Sequence, residues 1–200
     1  MKLADLERGS IVLVTGGVRS GKSTFAEKLA LDSGKELIYL ATAGVEDEEM
    51  LERVKHHQRN RSSLFKTIEE ALKPHLVLDQ ESSPGKLILV DCLTMLITNL
   101  FMKDIDSNGA VRDGEDIYAD EALLEEAAER TLDYIRFFRD RATACQADLI
   151  IVTNEVGMGV VPNYPVGRVF RDLAGRANQV LATAADQVWM VVCGLPQQFK

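Results

Sequence analysis

The amino-acid sequence predicts an α/β fold in which helices cover both faces of a mainly parallel β-sheet. Short apolar runs alternate with longer amphipathic segments along the 200 residues, which is typical of strand–helix–strand units with right-handed crossovers. The short runs are apolar at nearly every position, as expected for strands that are buried on both faces. Neither an internal repeat nor a change in composition divides the chain, and we therefore expect one domain over residues 1–200.

The spacing of apolar residues predicts the strands and helices in the first 59 residues. Residues 11–15 are an apolar run that ends in glycines, which predicts a buried strand. Residues 22–32 have the apolar spacing of a helix, and Gly34 follows where helices commonly end. Residues 36–42 predict the second strand. Residues 47–59 predict a helix whose first turn is acidic, which suits the positive end of the helix dipole.

The alternation continues to the end of the chain. Residues 87–90 predict a third buried strand, and residues 94–102 predict a short apolar helix. Residues 103–114 are polar and contain glycines, which predicts a loop. Residues 119–143 predict a long amphipathic helix that packs on the sheet. The remaining predictions are strands at 149–153 and 188–192, with a helix at 166–185 between them.

Composition excludes several classes of protein. The net charge of −8 and pI near 5.0 disfavour a nucleic-acid partner and favour a small molecule. The apolar runs are too short to span a membrane, and the N-terminus lacks the apolar core of a signal peptide. We therefore expect a soluble, cytoplasmic protein. Cys92, Cys145 and Cys193 form no CxxC pair and are expected to be reduced, buried thiols. Trp189 is expected in the core and His75 at the surface.

One motif points directly to chemistry. Between the first strand and the first helix, the pattern Gly-x4-Gly-Lys-Ser matches the Walker A phosphate loop. The glycines let backbone N–H groups approach phosphate oxygens, and the following helix adds its dipole. Lys22 would contact the β- and γ-phosphates, and Arg19 would neutralise further triphosphate charge. The expected nucleotide-binding residues of this loop are Gly16, Gly17, Val18, Arg19, Ser20, Gly21, Lys22 and Ser23.

A phosphate loop of this kind implies Mg²⁺. We expect the Ser23 hydroxyl to be one ligand and Asp91, directly after the third strand, to hold the ion through water. Glu155 follows the fourth strand and is a second acidic candidate. The guanine-binding tetrapeptide Asn-Lys-x-Asp of GTPase switches is absent. A small-molecule kinase and a non-catalytic, nucleotide-gated interaction protein both remain open.

A histidine pair lies on the predicted helix 47–59. Met50, Leu51 and Val54 define its apolar stripe, and His57 projects near that stripe whereas His56 projects away from it. A solvated histidine is the ordinary interpretation of such a position. The alternative is a nucleophile, because imidazole attacks phosphorus well and titrates near neutrality.

The motifs taken together resemble a known family. They resemble the bifunctional adenosylcobinamide kinase/adenosylcobinamide-phosphate guanylyltransferases of cobalamin biosynthesis, from about residue 11 to the C-terminus. The resemblance implies an α/β P-loop NTPase (RecA-like) three-layer sandwich with a mainly parallel sheet, assembled as a homotrimer with nucleotide sites near subunit contacts. It is carried by residues 14–23, 39–42, the histidine pair, residues 90–94, Thr98 and Asn99, and by the long stretches 152–162 and 167–179.

The resemblance implies two reactions. ATP or GTP phosphorylates adenosylcobinamide, and GTP then transfers GMP through a histidine to adenosylcobinamide phosphate, giving adenosylcobinamide-GDP. His56 is the implied guanylylated residue and Lys22 the second catalytic residue. Many members have Arg-Pro and then Trp after the histidines, where this chain has Arg61, Ser62 and Phe65. Other implied GTP contacts are Ala41, Thr42, Ala43, Arg59, Asn60, Arg61, Ser62, Glu69 and Asp91.

Three arginines near the C-terminus leave two interpretations open. Arg168, Arg171 and Arg176 lie off the apolar stripe of the helix at 166–185. They either form a solvated face with Asp172 as a partner or clamp the phosphate of the corrinoid or pyrophosphate.

Overall fold

A computed structural model describes residues 9–44, 62–109 and 118–200. Within these ranges one seven-stranded sheet has the order β3-β2-β4-β5-β1-β6-β7, and every neighbouring pair is parallel except β6 and β7. The strands are β1 Ile11–Gly16, β2 Glu36–Ala41, β3 Phe65–Glu69, β4 Lys86–Asp91, β5 Asp148–Val152, β6 Gln187–Val192 and β7 Leu195–Gln198. The helices are α1 Lys22–Leu31, α2 Pro74–Gln80, α3 Leu93–Gly109, α4 Glu121–Ala144 and α5 Pro165–Ala184, with a 3₁₀ turn at Val156–Met158.

The central strands explain why the layers form. Alternate residues of β1 enter two separate cores: Ile11 and Leu13 pack on one side, and Val12 and Val14 on the other. The first core contains side chains of α2, α3, α4 and α5, and the second contains those of α1. Burial on both faces requires a continuous apolar run, which is the pattern these strands carry. The predicted three-layer α/β sandwich with a mainly parallel sheet is therefore confirmed.

Helix α3 corrects the loop predicted at 103–114 over residues 103–109, and residues 110–114 lie outside the described residues. The helix continues to Gly109, because Ile97, Phe101 and Ile105 recur at four-residue intervals and are fully buried. The polar residues of this stretch lie between those positions, and Asp104 pairs with Arg130 of α4. A polar composition was therefore mistaken for a loop where it forms the outer face of an amphipathic helix.

Three elements escaped sequence analysis: β3, α2 and β7. Strand β3 lies at one edge of the sheet, where Phe65 is the one buried residue of the strand, and β7 lies at the other edge with mostly exposed side chains. Cys193 and Gly194 connect β6 to β7 with φ of 53° and 80°, the backbone of a two-residue hairpin turn. Cys193 is therefore exposed, contrary to the prediction, whereas Cys92 and Cys145 are buried as predicted.

The observed burial of Trp189 and His75 can be compared with the prediction for each. Trp189 is half-buried and packs on Phe25 of α1 with ring centroids 5.3 Å apart, at the margin of the predicted core. His75 was expected at the surface, but it is half-buried, because its ring packs against Tyr134 and Phe137; its Nδ1 lies 2.7 Å from Tyr134 Oη in a hydrogen bond. The helix predicted at 47–59 lies outside the described residues. No helix in the described part of the chain is long and apolar enough to cross a membrane.

Candidate nucleotide site

The phosphate loop leaves the carboxyl end of β1 and turns into α1. A Cβ at Gly16 would lie 2.5 Å from the Val191 carbonyl oxygen, which is closer than real contacts allow. Gly21 has φ of 95°, and a Cβ there would lie 3.2 Å from Gly194 Cα. The loop is therefore pressed against the β6–β7 hairpin, and the Gly194 N–H donates to the Ser20 carbonyl at 2.8 Å. The glycines are needed for both the turn and this close approach.

The start of α1 has the features of an anion site. Gly21 is the N-cap residue and no side chain caps the helix, so the first N–H groups can face a phosphate. Lys22 is buried, at 9% exposure, and its ammonium donates to the Gly17 carbonyl at 3.1 Å across the loop. Ser20 Oγ is buried without a hydrogen-bond partner among the described residues. These groups fit the oxygens of a polyphosphate.

The outer positions of the loop face solvent. Val18 is 82% exposed and Gly17 is also exposed. Arg19 is exposed and has φ of 57°, in the left-handed region that non-glycine residues seldom occupy. Its guanidinium forms no ion pair with any residue in the described ranges, so its charge is available to a ligand.

Strand register brings separate predicted residues to the same edge of the sheet. Ala41 pairs with Glu69 on one side and with Asp91 on the other. Asp91 in turn pairs with Val152, which pairs with Val14 just before the phosphate loop. Because parallel strands end together, these residues form one row across five strands. Glu69 and Asp91 therefore lie on the edge that carries the loop.

Asp91 is held in place and interacts with Lys22. Tyr39 Oη donates to Asp91 Oδ2 at 2.7 Å, which orients the carboxylate. Burial lowers the pKa of Lys22, and the negative charge of Asp91 opposes that effect. A carboxylate here, with the Ser23 hydroxyl at the helix start, provides hard oxygen ligands of the type Mg²⁺ prefers. The described residues contain no group of three or more His, Cys, Asp or Glu side chains that could hold a metal ion by themselves.

The segment after β2 is held in place by hydrogen bonds to backbone carbonyl groups. The Thr42 N–H donates to the Asp91 carbonyl at 3.1 Å, and Thr42 Oγ1 donates to the Cys92 carbonyl at 2.6 Å. Asn99 of α3 donates from Nδ2 to the Thr42 carbonyl at 2.8 Å and to the Ala71 carbonyl at 3.0 Å. Thr42 is fully buried, so it holds the segment in place, while the neighbouring Ala41 and Ala43 remain partly exposed.

A polar network that sequence analysis did not identify lies beside the loop. Thr15 Oγ1 donates to Glu155 Oε1 at 2.7 Å, and Asn178 Nδ2 donates to the same oxygen at 3.2 Å. The Glu155 N–H donates to the Gly16 carbonyl at 3.2 Å, so Glu155 directly contacts the residue that begins the loop. The sequence marked Glu155 as an acid after the fourth strand, but its partners Thr15 and Asn178 were not identified; Asn178 was known only as part of the stretch 167–179 that carries the resemblance.

The same network orients the end of β5. Thr153 Oγ1 donates to Asn178 Oδ1 at 2.7 Å, which fixes the orientation of the Asn178 amide. Thr94 Oγ1 accepts from the Asn154 N–H at 2.9 Å and lies 3.3 Å from Thr153 Oγ1. Side chains of α3 and α5 therefore hold the residues that follow β5.

One predicted residue in the described ranges, Ser62, lies away from this edge. Ser62 precedes β3 and hydrogen-bonds the N–H of Leu64, whereas Glu69 is the last residue of β3. Strand β3 is itself about 13 Å long from Phe65 to Glu69, at a rise of roughly 3.3 Å per residue. His56, Arg59, Asn60 and Arg61 lie outside the described residues.

The C-terminal arginines pair with acids. Arg168 pairs with Glu121 and Arg176 with Glu129, joining α5 to α4, and Arg171 pairs with Asp172. These contacts favour the interpretation of an ion-paired outer face over that of a phosphate clamp.

Comparison with known proteins identifies the family. The family model for cobinamide kinase / cobinamide phosphate guanyltransferase matches residues 12–199. The bifunctional adenosylcobalamin biosynthesis protein CobU of Salmonella typhimurium is 40% identical over 190 residues, covering 95% of this chain and 99% of that protein. The corresponding CobP of Pseudomonas aeruginosa is 38% identical over 188 residues, covering 94% and 96%.

Solved structures show the fold alone. A structure of the Pyrococcus horikoshii project PH0250 matches with TM-score 0.52 and 8% identity, covering 96% of this chain and 87% of that one. The RadB recombinase matches with TM-score 0.42 and 16% identity, covering 92% and 74%. With the phosphate loop, the row of strand ends and a family match along nearly the whole chain, this protein belongs to the cobinamide kinase / cobinamide phosphate guanyltransferase family of enzymes.

Proposed function

We propose that this chain, acting as one domain over residues 1–200, phosphorylates adenosylcobinamide and then guanylylates the product. ATP or GTP is the phosphate donor in the first reaction, and GTP is the source of GMP in the second. The observation that carries the proposal is the phosphate loop, with buried Lys22 beside Asp91, in a chain of this family. The products are adenosylcobinamide phosphate and adenosylcobinamide-GDP.

In the kinase reaction the protein mainly positions charge. The helix start and Lys22 would hold the β- and γ-phosphates, while the acceptor hydroxyl attacks the γ-phosphorus. Negative charge grows on the bridging oxygen as it leaves with the nucleoside diphosphate. Lys22 and the uncapped N–H groups at the start of α1 would stabilise that charge.

Mg²⁺ belongs to the same proposal. Ser23 and Asp91 would hold it together with phosphate oxygens, because one carboxylate and one hydroxyl leave most of its octahedral positions to nucleotide and water. The ion would neutralise phosphate charge. The hydrogen bond from Tyr39 keeps Asp91 directed for that task.

In the second reaction we propose His56 as the nucleophile. Its imidazole would attack the α-phosphorus of GTP, and the bond to the β-phosphate oxygen would break, releasing pyrophosphate. The phosphate of adenosylcobinamide phosphate would then displace the histidine and take the GMP. The family resemblance and the helical projection of His56 away from the apolar stripe support this assignment.

Labelling tests the histidine step. The protein is incubated with [α-³²P]GTP and Mg²⁺, and we expect label on the protein that is labile to acid and stable to alkali, as in a phosphoramidate. His56→Ala should abolish the label, and His57→Ala is the matched control that should retain it. Phosphorylation of adenosylcobinamide without GMP label on the protein would indicate that the chain is a kinase only. Nucleotide binding without either reaction would leave a nucleotide-gated interaction protein.

The resemblance also supports a homotrimer in which a neighbouring subunit completes each nucleotide site. Ser62, an implied GTP contact, lies at the start of β3, away from the edge that carries Glu69 and Asp91 in the same chain. If Ser62 contacts GTP bound to a neighbouring subunit, Ser62 and Glu69 can both be GTP contacts although they lie apart in one chain. Sedimentation equilibrium should give three times the chain mass of 22.1 kDa, and a monomer would contradict the proposal.

A further inference from the structure

Strand β5 occupies the position between the two strands that carry the phosphate chemistry. Its neighbours are β1, which leads into the phosphate loop, and β4, which ends at Asp91. Val152, the last residue of β5, pairs with Val14 and with Asp91. The residues that follow it therefore emerge between the loop and the Asp91 carboxylate.

Glu155 is the acid at that position, and its two carboxylate oxygens differ. Oε1 accepts hydrogen bonds from Thr15 at 2.7 Å and Asn178 at 3.2 Å. Oε2 has no hydrogen-bond or ion-pair partner within residues 9–44, 62–109 and 118–200. Since Asn178 is itself fixed by Thr153, the carboxylate is oriented, with one oxygen occupied and the other available.

We propose that Glu155 receives the acceptor alcohol in the kinase reaction and takes its proton. The inference rests on the proposed function and adds a residue to it. A carboxylate beside a phosphate loop repels phosphate oxygens, but its free oxygen is a good acceptor for a hydroxyl hydrogen. Within the part of the chain that the structure describes, its side chain makes no hydrogen bond with Lys22 or Asp91, so it is separate from the phosphate and metal groups already assigned.

The proposed step transfers one proton and one phosphoryl group. The O–H bond of the aliphatic alcohol breaks, and its proton passes to Glu155 Oε2. The alcohol oxygen forms a bond to the γ-phosphorus, and the bond from that phosphorus to the bridging oxygen breaks. The electron pair leaves with the nucleoside diphosphate, and Glu155 later returns the proton to water. Thr15 and Asn178 are positioning residues, because they hold Oε1 and so direct Oε2.

Glu155→Gln tests the assignment with little change in shape. Its amide carbonyl can still accept from Thr15 and Asn178, whereas an NH₂ group replaces the proton-accepting oxygen. We expect kcat for ATP-dependent phosphorylation of adenosylcobinamide to fall roughly 100-fold or more, the size expected for general-base catalysis. The Kd for ATP and the GMP labelling of the protein should remain at wild-type values. Glu129→Gln, a surface acid of α4, is the matched control and should leave kcat unchanged.

Thr15→Val gives a second, independent measurement. It removes one hydrogen bond to Oε1 with almost no change in volume, and we expect kcat to fall about 10-fold, the equivalent of one such bond, with KM unchanged. Thr15→Ser, which restores the hydroxyl, should recover most of the rate. Loss of rate in both variants, or a rise in KM alone, would indicate a packing role and overturn the positioning assignment.

The outcomes separate this inference from the function on which it rests. A Glu155→Gln enzyme that phosphorylates adenosylcobinamide at the wild-type rate overturns the role of Glu155 alone. Equal loss of phosphorylation, ATP binding and GMP labelling would assign Glu155 to Mg²⁺ or nucleotide and also overturn it. A wild-type protein that labels with GMP but does not phosphorylate adenosylcobinamide overturns the kinase proposal, and this inference with it.

Discussion

At the scale of single residues, the three thiols of this chain sit in very different surroundings. Burial raises the pKa of Cys92 to about 12, and the negative charge of Asp91 adds to that effect. Cys145 is buried with its Sγ directed at the Leu78 carbonyl. Cys193 is exposed in the hairpin turn beside the phosphate loop. Because the thiolate is the reactive form and must be reached by the reagent, burial protects Cys92 and Cys145, and exposure favours reaction at Cys193.

A thiol reagent should therefore modify one cysteine per folded chain. We expect a maleimide at neutral pH to label Cys193 rapidly, while Cys92 and Cys145 react only after unfolding. Intact mass spectrometry with peptide mapping counts and locates the adducts. Cys193→Ser should leave the folded chain unlabelled. Rapid labelling of Cys92 in the folded protein would contradict the burial described here.

The phosphate-loop glycines allow a test with a control in the same chain. Gly21→Ala places a Cβ 3.2 Å from Gly194 Cα at φ of 95°, and we expect it to cost about 1–2 kcal/mol of stability and to weaken ATP binding. Gly175→Ala in α5 meets nothing within 4 Å and should raise stability by about 0.5–1 kcal/mol. Chemical denaturation and ATP titration of both variants measure the difference. Equal behaviour of the two would contradict the close packing of the loop on the hairpin.

At the scale of elements, the parts predicted well are those whose cause is local. The strands β1, β4 and β5 are short apolar runs because both of their faces are buried, and the phosphate loop is specified by its glycines and Lys22. Edge strands β3 and β7 lack that pattern because neighbours cover only one side. The Thr15–Glu155–Asn178 contact joins residues up to 163 positions apart, and only the folded register brings them together.

The edge at β3 is held by a charge contact that depends on pH. Glu81, which follows α2, accepts from Lys66 of β3 at 2.7 Å and from Lys86 of β4 at 2.6 Å, on either side of β2. The hydrogen bonds from these two lysines hold the pKa of Glu81 below its ordinary value. The stabilisation is therefore present above the ordinary carboxyl pKa and is lost as pH falls through the lowered pKa.

Glu81→Gln should reveal this dependence. We expect the free energy of unfolding to fall by about 1–2 kcal/mol near neutrality, the size of hydrogen bonds to a charged group discounted for the exposed lysine. In acid the Glu81 carboxyl of the wild type is protonated and also neutral, so the difference in the free energy of unfolding between wild type and variant should shrink towards zero. Urea denaturation across this pH range gives the difference, and Glu126→Gln on the exposed face of α4 serves as the control. A difference that does not vary with pH would exclude the ionised contact as its cause.

At the scale of the whole molecule, one edge of the sheet gathers every described group to which a phosphate role is assigned. Five strand ends form a row from Glu69 to Val14, so the loop, Asp91 and Glu155 share one surface. Both proposed reactions use a nucleoside triphosphate, yet they attack different phosphorus atoms. A single phosphate loop can support both reactions only if the nucleophile differs between them while the contacts that bind the phosphates stay the same.

That division of labour gives the last prediction. Lys22→Ala removes the buried ammonium from the shared loop, so phosphorylation of adenosylcobinamide and GMP labelling should both fall by roughly 100-fold or more, the size of losing an electrostatic contact to the transition state. His56→Ala removes only the second nucleophile, which has no part in the kinase reaction, and should leave phosphorylation within about twofold of wild type. Initial rates of both reactions, measured on the same preparations, make the comparison. If His56→Ala lost both activities equally while still binding GTP, His56 would have a role common to both reactions. The assignment of His56 as a nucleophile for the second reaction alone would then be wrong.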